Sequence, residues 1–238
     1  MNIAIIGYGK MGHEIEAIAK ERGHNISLII DKDNRDDLTP ENLSKVDVAI
    51  EFTTPETAFE NVKACLLAGK PIVSGSTGWL DKLEEAKELA KKGNGALFYA
   101  SNFSIGVNLF FKVNQMLAKY IDKVKGYNFD IEEIHHTQKK DAPSGTAITL
   151  ANLISDEIDK LNGWTLSPKI EEGKIPITAV REGVVPGTHI VTLNSEQDEI
   201  ILTHRAKSRK GFALGAVLAA EFSMGKKGFL TMDSLLKM

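Results

Sequence analysis

Residues 2–12 read NIAIIGYGKMG, and their reading decides the fold. A run of β-branched residues passes into Gly7-Tyr8-Gly9-Lys10-Met11-Gly12, a GxGxxG loop, which opens a helix-patterned segment over 11–22. Glycines suit that junction because the chain turns sharply, the backbone must approach a pyrophosphate closely, and the helix must pack tightly on the strand. The helix N-terminus adds unpaired N–H groups and the positive end of its dipole. Asp31 closes the next strand-like run at about the 20-residue spacing from which a carboxylate accepts from a ribose hydroxyl. Dinucleotide binding is therefore expected. Lys32 follows Asp31 directly, so the repulsion a lone carboxylate offers a 2′-phosphate is partly neutralised. Use of both NADH and NADPH is expected, with a modest NADH bias.

Working outward, residues 25–31, 46–52, 71–75 and 96–100 read as further strands, separated by helical patterns at 57–68 and 80–92. Their near-continuous apolar character fits a parallel sheet covered on both faces, and the alternation implies βαβ units of a doubly wound, Rossmann-like α/β domain. Two more loops follow strands at the same edge, Gly75-Ser76-Thr77-Gly78 and Ala100-Ser101-Asn102-Phe103. Ligands of open α/β sheets bind at the carboxyl ends of strands, so these loops are expected on the nicotinamide side.

From about Asn102 the rhythm changes. A long apolar helix over 106–121 is followed by a strand at 128–135 and a helix at 144–161. Three strands then come in succession, at 175–182, 188–195 and 199–205. Strands grouped without helices indicate a mixed or antiparallel sheet, hence a second, α+β domain. Residues 162–173 read as a surface loop and 212–224 as a packed terminal helix. The expected division is 1–106 with 208–238 as the dinucleotide-binding domain, and 107–207 as a central substrate-binding domain.

Composition removes other classes. The 238 residues carry 29 Lys+Arg against 32 Asp+Glu, a net charge of −3, which argues against nucleic-acid binding. With 42% apolar and 26% charged residues the chain is an ordinary globular one, not a disordered or fibrous one. The lone Cys65 excludes an internal disulfide and fits a reducing cytoplasm. No signal peptide is read at the start, and the longest apolar stretch, 212–222, falls well short of the roughly 20 residues a bilayer requires. The chain is expected to be soluble, cytoplasmic and mature as it begins.

The most informative polar segment is EIHHTQKKDAPSGTA at 133–147. It joins a strand to a helix whose apolar repeat runs through Ala147, Ala151, Ile154, Ile158 and Leu161, so the helix starts near Ser144, a plausible N-cap. The N–H groups of Gly145 and Thr146 would then be free to bind a carboxylate. Successive strand residues alternate faces, so the strand must bend if His135 and His136 are to share a pocket. Lys139 or a histidine is suited to donate a proton, because imidazole titrates near neutrality and a lysine pKa falls when the group is desolvated. No metal site is expected, since neighbouring lysines repel a cation. The pattern describes a pocket for a small acidic substrate.

These stretches resemble the dihydrodipicolinate reductase family nearly end to end: GYGKMG, EFTTPE at 51–56, GSTG at 75–78, ASNFSIGVN at 100–108, EEIHHTQKKDAPSGTA at 132–147, REGVVPGTH at 181–189 and HRAKSRKGFALGA at 204–216. The resemblance implies NAD(P)H-dependent reduction of 4-hydroxy-tetrahydrodipicolinate in the diaminopimelate route to lysine. It implies His135 and Lys139 as the catalytic pair, with Lys139 as first choice for proton donor and the reverse assignment open. His136, Gly145 and Thr146 would contact substrate carboxylates. Gly7, Gly9, Lys10, Met11 and Gly12 would form the phosphate loop and Asp31 the ribose contact. Gly75, Ser76, Thr77, Ala100, Ser101, Asn102 and Phe103 would line the nicotinamide side, with Arg209 near the cofactor. It also implies a homotetramer built through the central sheet. Thr137 and Gln138 stand where the family often has Arg and His, which lowers the positive charge around the pocket. A related amino-acid dehydrogenase and a non-catalytic nicotinamide-sensing protein are the rival readings; neither needs a double-carboxylate pocket.

Overall fold

The computed structural model describes residues 1–124 and 126–237, so Met238, the end of the expected nucleotide domain, lies outside the described residues. In chain order the elements are β1 (Asn2–Ile6), α1 (Lys10–Glu21), β2 (Asn25–Ile30), α2 (Pro40–Ser44), β3 (Val48–Glu51), α3 (Pro55–Leu67), β4 (Ile72–Ser74), α4 (Leu83–Lys92), β5 (Ala96–Tyr99) and α5 (Ile105–Ile121). They continue with β6 (Asn128–His135), α6 (Gly145–Ser155), β7 (Trp164–Leu166), β8 (Ile175–Arg181), β9 (Thr188–Asn194), β10 (Glu199–Arg205), α7 (Lys210–Ser223), β11 (Gly228–Leu230) and α8 (Met232–Leu236). The chain divides into two compact units, Met1–Ile105 with Arg209–Met238, and Gly106–Ser208.

In the first unit six strands pair in the order β11-β5-β4-β3-β1-β2, every pairing parallel. The two-residue alternation of a strand decides which core each side chain enters. Ile3 and Ile5 pack with Ile15 and Ala19 of α1 and Ala216 and Ala220 of α7. Ala4 and Ile6 face the other way, onto Ala58 and Val62 of α3 and Ala86 and Ala90 of α4. Burying a residue such as Ile5 contributes about 1.5–3 kcal/mol, and both faces need it, which is why the strands read as unbroken apolar runs.

In the second unit the order is β10-β9-β6-β8-β7. The β6, β8 and β7 pairings are parallel and those of β6, β9 and β10 antiparallel, a mixed sheet. Phe129, Ile131, Ile177 and Val191 send one face against Phe110 of α5 and Leu150 and Ile154 of α6.

Three departures from the sequence reading have physical causes. The stretch read as a surface loop contains β7, held beside β8 because the Ile175 N–H donates to Gly163 O and the Ser167 N–H to Ile177 O. β7 and β11 have three residues each, too few to show a period. α6 stops at Ser155, although Ile158 is buried as the helical period required. Turns with i+3 hydrogen bonds, Glu157 N–H to Ile154 O and Leu161 N–H to Ile158 O, keep that apolar face directed inward without a helix.

No helix among the described residues is long and apolar enough to cross a membrane.

Candidate active site

The glycine loop of the first unit is shaped by contacts that no side chain would permit. Gly7 has φ +95°, and a Cβ there would lie 2.1 Å from the Phe52 carbonyl oxygen. At Gly12 it would lie 2.4 Å from the Gly7 carbonyl oxygen, so helix and loop touch backbone to backbone. Over Gly9, the N-cap of α1, a Cβ would meet nothing within 4 Å. That open space at a helix N-terminus is a cradle a pyrophosphate fits. Beside it lies a cavity of about 310 Å³ lined by Gly7, Gly9, Asp31 and Lys32 of the expected cofactor residues. Lys10 and Met11 form the first turn of α1.

The same cavity includes Arg35, Phe52, Thr53, Thr54, Thr57 and Asn61, which the residue-by-residue reading did not single out. The signal for the threonines was present in EFTTPE, where Thr54 and Pro55 start α3, but Arg35 sits in a short 3-10 turn without a pattern. Beneath these threonines Glu51 is fully buried. Its Oε1 accepts from the Thr53 N–H at 2.8 Å, from Ser76 Oγ at 2.7 Å and from Thr53 Oγ1, and its Oε2 accepts from Ser74 Oγ at 2.6 Å. One carboxylate thereby ties the carboxyl ends of β3 and β4 together through neutral donors.

The two loops expected on the nicotinamide side are placed differently from the cavity residues. Gly75 packs under Phe52, whose ring a Cβ would meet at 2.2 Å, and Ser76 is engaged with Glu51. Ala100 and the Phe103 ring belong to the core, so those two positions offer a ligand only backbone. Asn102 accepts from the Ser104 N–H at 2.9 Å. Arg209 is exposed at the N-cap of α7.

In the second unit β6 ends at His135, and the chain turns through His136–Lys139, with the His136 N–H donating to Val185 O and the Lys139 N–H to His136 O. Glu133 and His135 stand on the core side of β6, two residues apart, both buried. Register then brings in two residues from far along the chain. Antiparallel pairing sets His189 of β9 opposite Glu133, and parallel pairing sets Arg181 of β8 beside His135.

Glu133 is the hub of this cluster. Its Oε1 accepts from the Ser144 backbone N–H at 2.9 Å and from Arg181 Nη2 at 2.9 Å. Its Oε2 lies 2.8 Å from His135 Nδ1, close enough for an ion pair though bent away from hydrogen-bond alignment. Arg181 also donates to the Asp141 carbonyl at 2.5 Å, anchoring the loop. Burial alone would raise the Glu133 carboxyl, but contacts with His135, Ser144 and Arg181 outweigh it and hold the group at about 2. His189 is pushed the other way for a base, down to about 3, first by burial and then by His135; it is neutral at pH 7, with Nε2 3.2 Å from Ser144 Oγ.

Ser144 caps α6 as the sequence implied, accepting from the Ala147 N–H at 3.3 Å. At Gly145 a Cβ would meet nothing within 4 Å, so the helix start opens outward. Lys139 Nζ donates to both Asp141 carboxylate oxygens at 2.8 Å. Glu133, His135 and His189 each present a ligand atom within 4.8 Å of the others; Arg181 already supplies the positive charge at that carboxylate. Chemically, the cluster fixes an imidazole beside an outward-facing helix start whose N–H groups carry partial positive charge.

Comparisons with known proteins agree over nearly the whole length. Residues 1–103 match the family described as "Dihydrodipicolinate reductase, N-terminus" and residues 106–236 the one described as "Dihydrodipicolinate reductase, C-terminus". The chain is 52% identical over 238 residues to the 4-hydroxy-tetrahydrodipicolinate reductase of Christiangramia forsetii, covering 99% of this chain and 98% of that protein. It is 34% identical to the reductase of Natronomonas pharaonis, covering 93% and 94%. Among solved structures it is similar to the dipicolinate-bound dihydrodipicolinate reductase from Paenisporosarcina sp. TG-14, with a TM-score of 0.80, 26% identity and 97% of each chain covered.

Proposed function

The chain belongs to the dihydrodipicolinate reductase family, and from that premise we propose how its residues divide the work. The activity is the NAD(P)H-dependent reduction of 4-hydroxy-tetrahydrodipicolinate to tetrahydrodipicolinate, a step of lysine and diaminopimelate biosynthesis. We assign dinucleotide binding to Met1–Ile105 with Arg209–Met238, and substrate binding and assembly to Gly106–Ser208.

When bound, the dinucleotide supplies the hydride. Gly7, Gly9 and Gly12, with Lys10 and Met11, hold its pyrophosphate. Asp31 and Lys32 take the ribose, and the backbone of 75–77 and 100–103, with Arg209, serves the nicotinamide side. Both NADH and NADPH are used, with a modest NADH bias: Asp31 repels a 2′-phosphate, while Lys32 and Arg35 in the same cavity offset the repulsion.

The substrate is a small dicarboxylate of the kind found in the Paenisporosarcina enzyme. His136 and the outward helix start at Gly145 and Thr146 neutralise its carboxylates. The 4-hydroxyl leaves as water with a neighbouring ring hydrogen, which makes the imine conjugated; hydride addition to that conjugated imine then leaves negative charge that a proton must quench. His135 delivers that proton and Lys139 stabilises the developing charge. What favours His135 over Lys139 as donor is the buried carboxylate behind its Nδ1, whereas Lys139 Nζ is occupied by Asp141. Four apolar side chains, Leu109, Val113, Met116 and Tyr120, lie exposed along α5, and Ile201 is exposed on β10. These surfaces support a homotetramer. The enzyme works in the cytoplasm, as its single buried thiol, Cys65, suits.

The observation that carries this reading is the delivery of His135, by β6, to the N-terminal end of α6. An NADH-oxidation assay coupled to dihydrodipicolinate synthase tests it. His135→Gln and Lys139→Ala should each lower kcat at least tenfold, about 1.4 kcal/mol, with NADH binding spared and dipicolinate inhibiting the parent enzyme. Near-normal turnover in both variants removes the assignment. In the same assay, a preference for NADPH above about a hundredfold, roughly 2.7 kcal/mol, removes the NADH bias.

A further inference from the structure

We propose that Glu133 is a positioning residue, one that keeps a hydrogen on His135 Nδ1 so that the proton given to substrate leaves from Nε2. The proposal rests on the reading of His135 as proton donor and names the group through which that donor is set. A carboxylate only accepts, and Glu133 Oε2 stands 2.8 Å from Nδ1; although the contact is bent from hydrogen-bond alignment, the negative charge at that distance favours the neutral ring with its hydrogen on that nitrogen. The opposite edge of the ring is kept clear by Gly187, where a Cβ would come within 3.0 Å of Nε2 at a φ of +153°. Chain and charge thus leave Nε2 as the exchanging atom.

Every charged or titratable group facing Glu133 fits this role. From β8, Arg181 pairs with Oε1 and keeps the buried charge compensated. From β9, His189 Nε2 lies 4.0 Å from Oε2 and is neutral at pH 7, so it does not compete for the carboxylate. In the loop, Lys139 and Asp141 are paired with each other. Loss of the His135 proton during turnover leaves Glu133 and Arg181 as a neutral pair, with no uncompensated buried charge. Oε1 also accepts from Ser144, the cap of α6, so the donor and the substrate-facing helix start are registered on a single carboxylate.

Glu133→Gln separates this role from simple packing. The Ser144 N–H and Arg181 can only donate, so the amide oxygen must stay with them and the amide NH₂ must face Nδ1. Nδ1 then has to accept, and the ring hydrogen moves to Nε2, the wrong tautomer for a ring that must take its proton there. Two measurements are made: kcat in the coupled assay, and long-range ¹H–¹⁵N spectra of histidine-labelled protein at about pH 9, where a free imidazole is neutral. We expect wild-type His135 to carry its hydrogen on Nδ1. Glu133→Gln should show it on Nε2, with kcat about a hundredfold lower and the NADH KM within about twofold.

His135→Gln with normal turnover would overturn the underlying reading. An inactive His135→Gln beside a Glu133→Gln of near-normal kcat overturns the present inference alone, as does a kcat loss without the tautomer change. Should Glu133→Gln not fold, the wild-type spectrum decides, and a hydrogen on Nε2 there refutes the proposal.

Discussion

Two carboxylates, Glu51 and Glu133, are equally inaccessible to water, each with no exposed surface, yet their partners differ in kind. Glu51 is held by hydroxyls and one backbone N–H, and no ion pair to it is found among the described residues. Glu133 is held by a guanidinium, an imidazole and a backbone N–H. A hydroxyl can reverse its hydrogen bond, whereas a guanidinium and a peptide N–H cannot. Glu51 therefore clamps two strand ends and can accommodate a change of polarity at Ser74, while the two donors on Glu133 Oε1, the Ser144 N–H and Arg181, cannot reverse. Equal burial therefore does not make the two carboxylates alike; the donors around each do.

The largest effect that would test this contrast is the removal of Arg181. Arg181→Met leaves Glu133 buried without its cation, and breaking a buried pair costs about 3–5 kcal/mol, measurable by urea unfolding at neutral pH. A loss below about 1 kcal/mol would mean that the pair is not the compensating one.

Next is the pH response of His189. Its folded pKa, about 3, lies below the unfolded value of an ordinary histidine, so between these values the unfolded chain binds the extra proton. Stability should therefore be intact above pH ~6.5 and fall by up to about 1.4 kcal/mol for each unit below it, down to the folded pKa. His189→Gln should flatten that segment of the stability curve. The Glu133 contribution has the same sign in a lower window: it is present above the ordinary glutamate range and lost as pH falls toward about 2. Parallel curves for parent and His189→Gln above pH 4.5 would count against the neutral buried imidazole.

The smallest effect belongs to Glu51→Gln. Its amide NH₂ can replace Oε2 because Ser74 Oγ can turn to accept, so the loss should be about 1 kcal/mol with kcat within twofold. A tenfold fall in kcat would erase the distinction between the two carboxylates.

The readable parts of the site were local. GYGKMG is legible because a positive φ at Gly7 and the contact at Gly12 are demands on single residues, and Ser144 because capping acts over three positions. Arg181 and His189 lie in REGVVPGTH, and nothing in that stretch says which strand they meet. Arg35 was missed for lack of any period around it, and β7 and β11 for their brevity. The helical reading ran past Ser155 because turns can sustain an apolar period that a helix started.

By itself the sequence determined the parallel doubly wound unit, the change to a mixed sheet near Asn102, the tight glycine turn into the first helix and the capped start of α6, since period, glycine and capping are short-range. Tertiary structure alone decided that Glu133 would be the hub. Strand register, a long-range choice set by the core side chains of β6, β8 and β9, aligns Arg181 with His135 and His189 with Glu133. A shift of one residue would turn Glu133 and His135 to the other face of the sheet, away from α6.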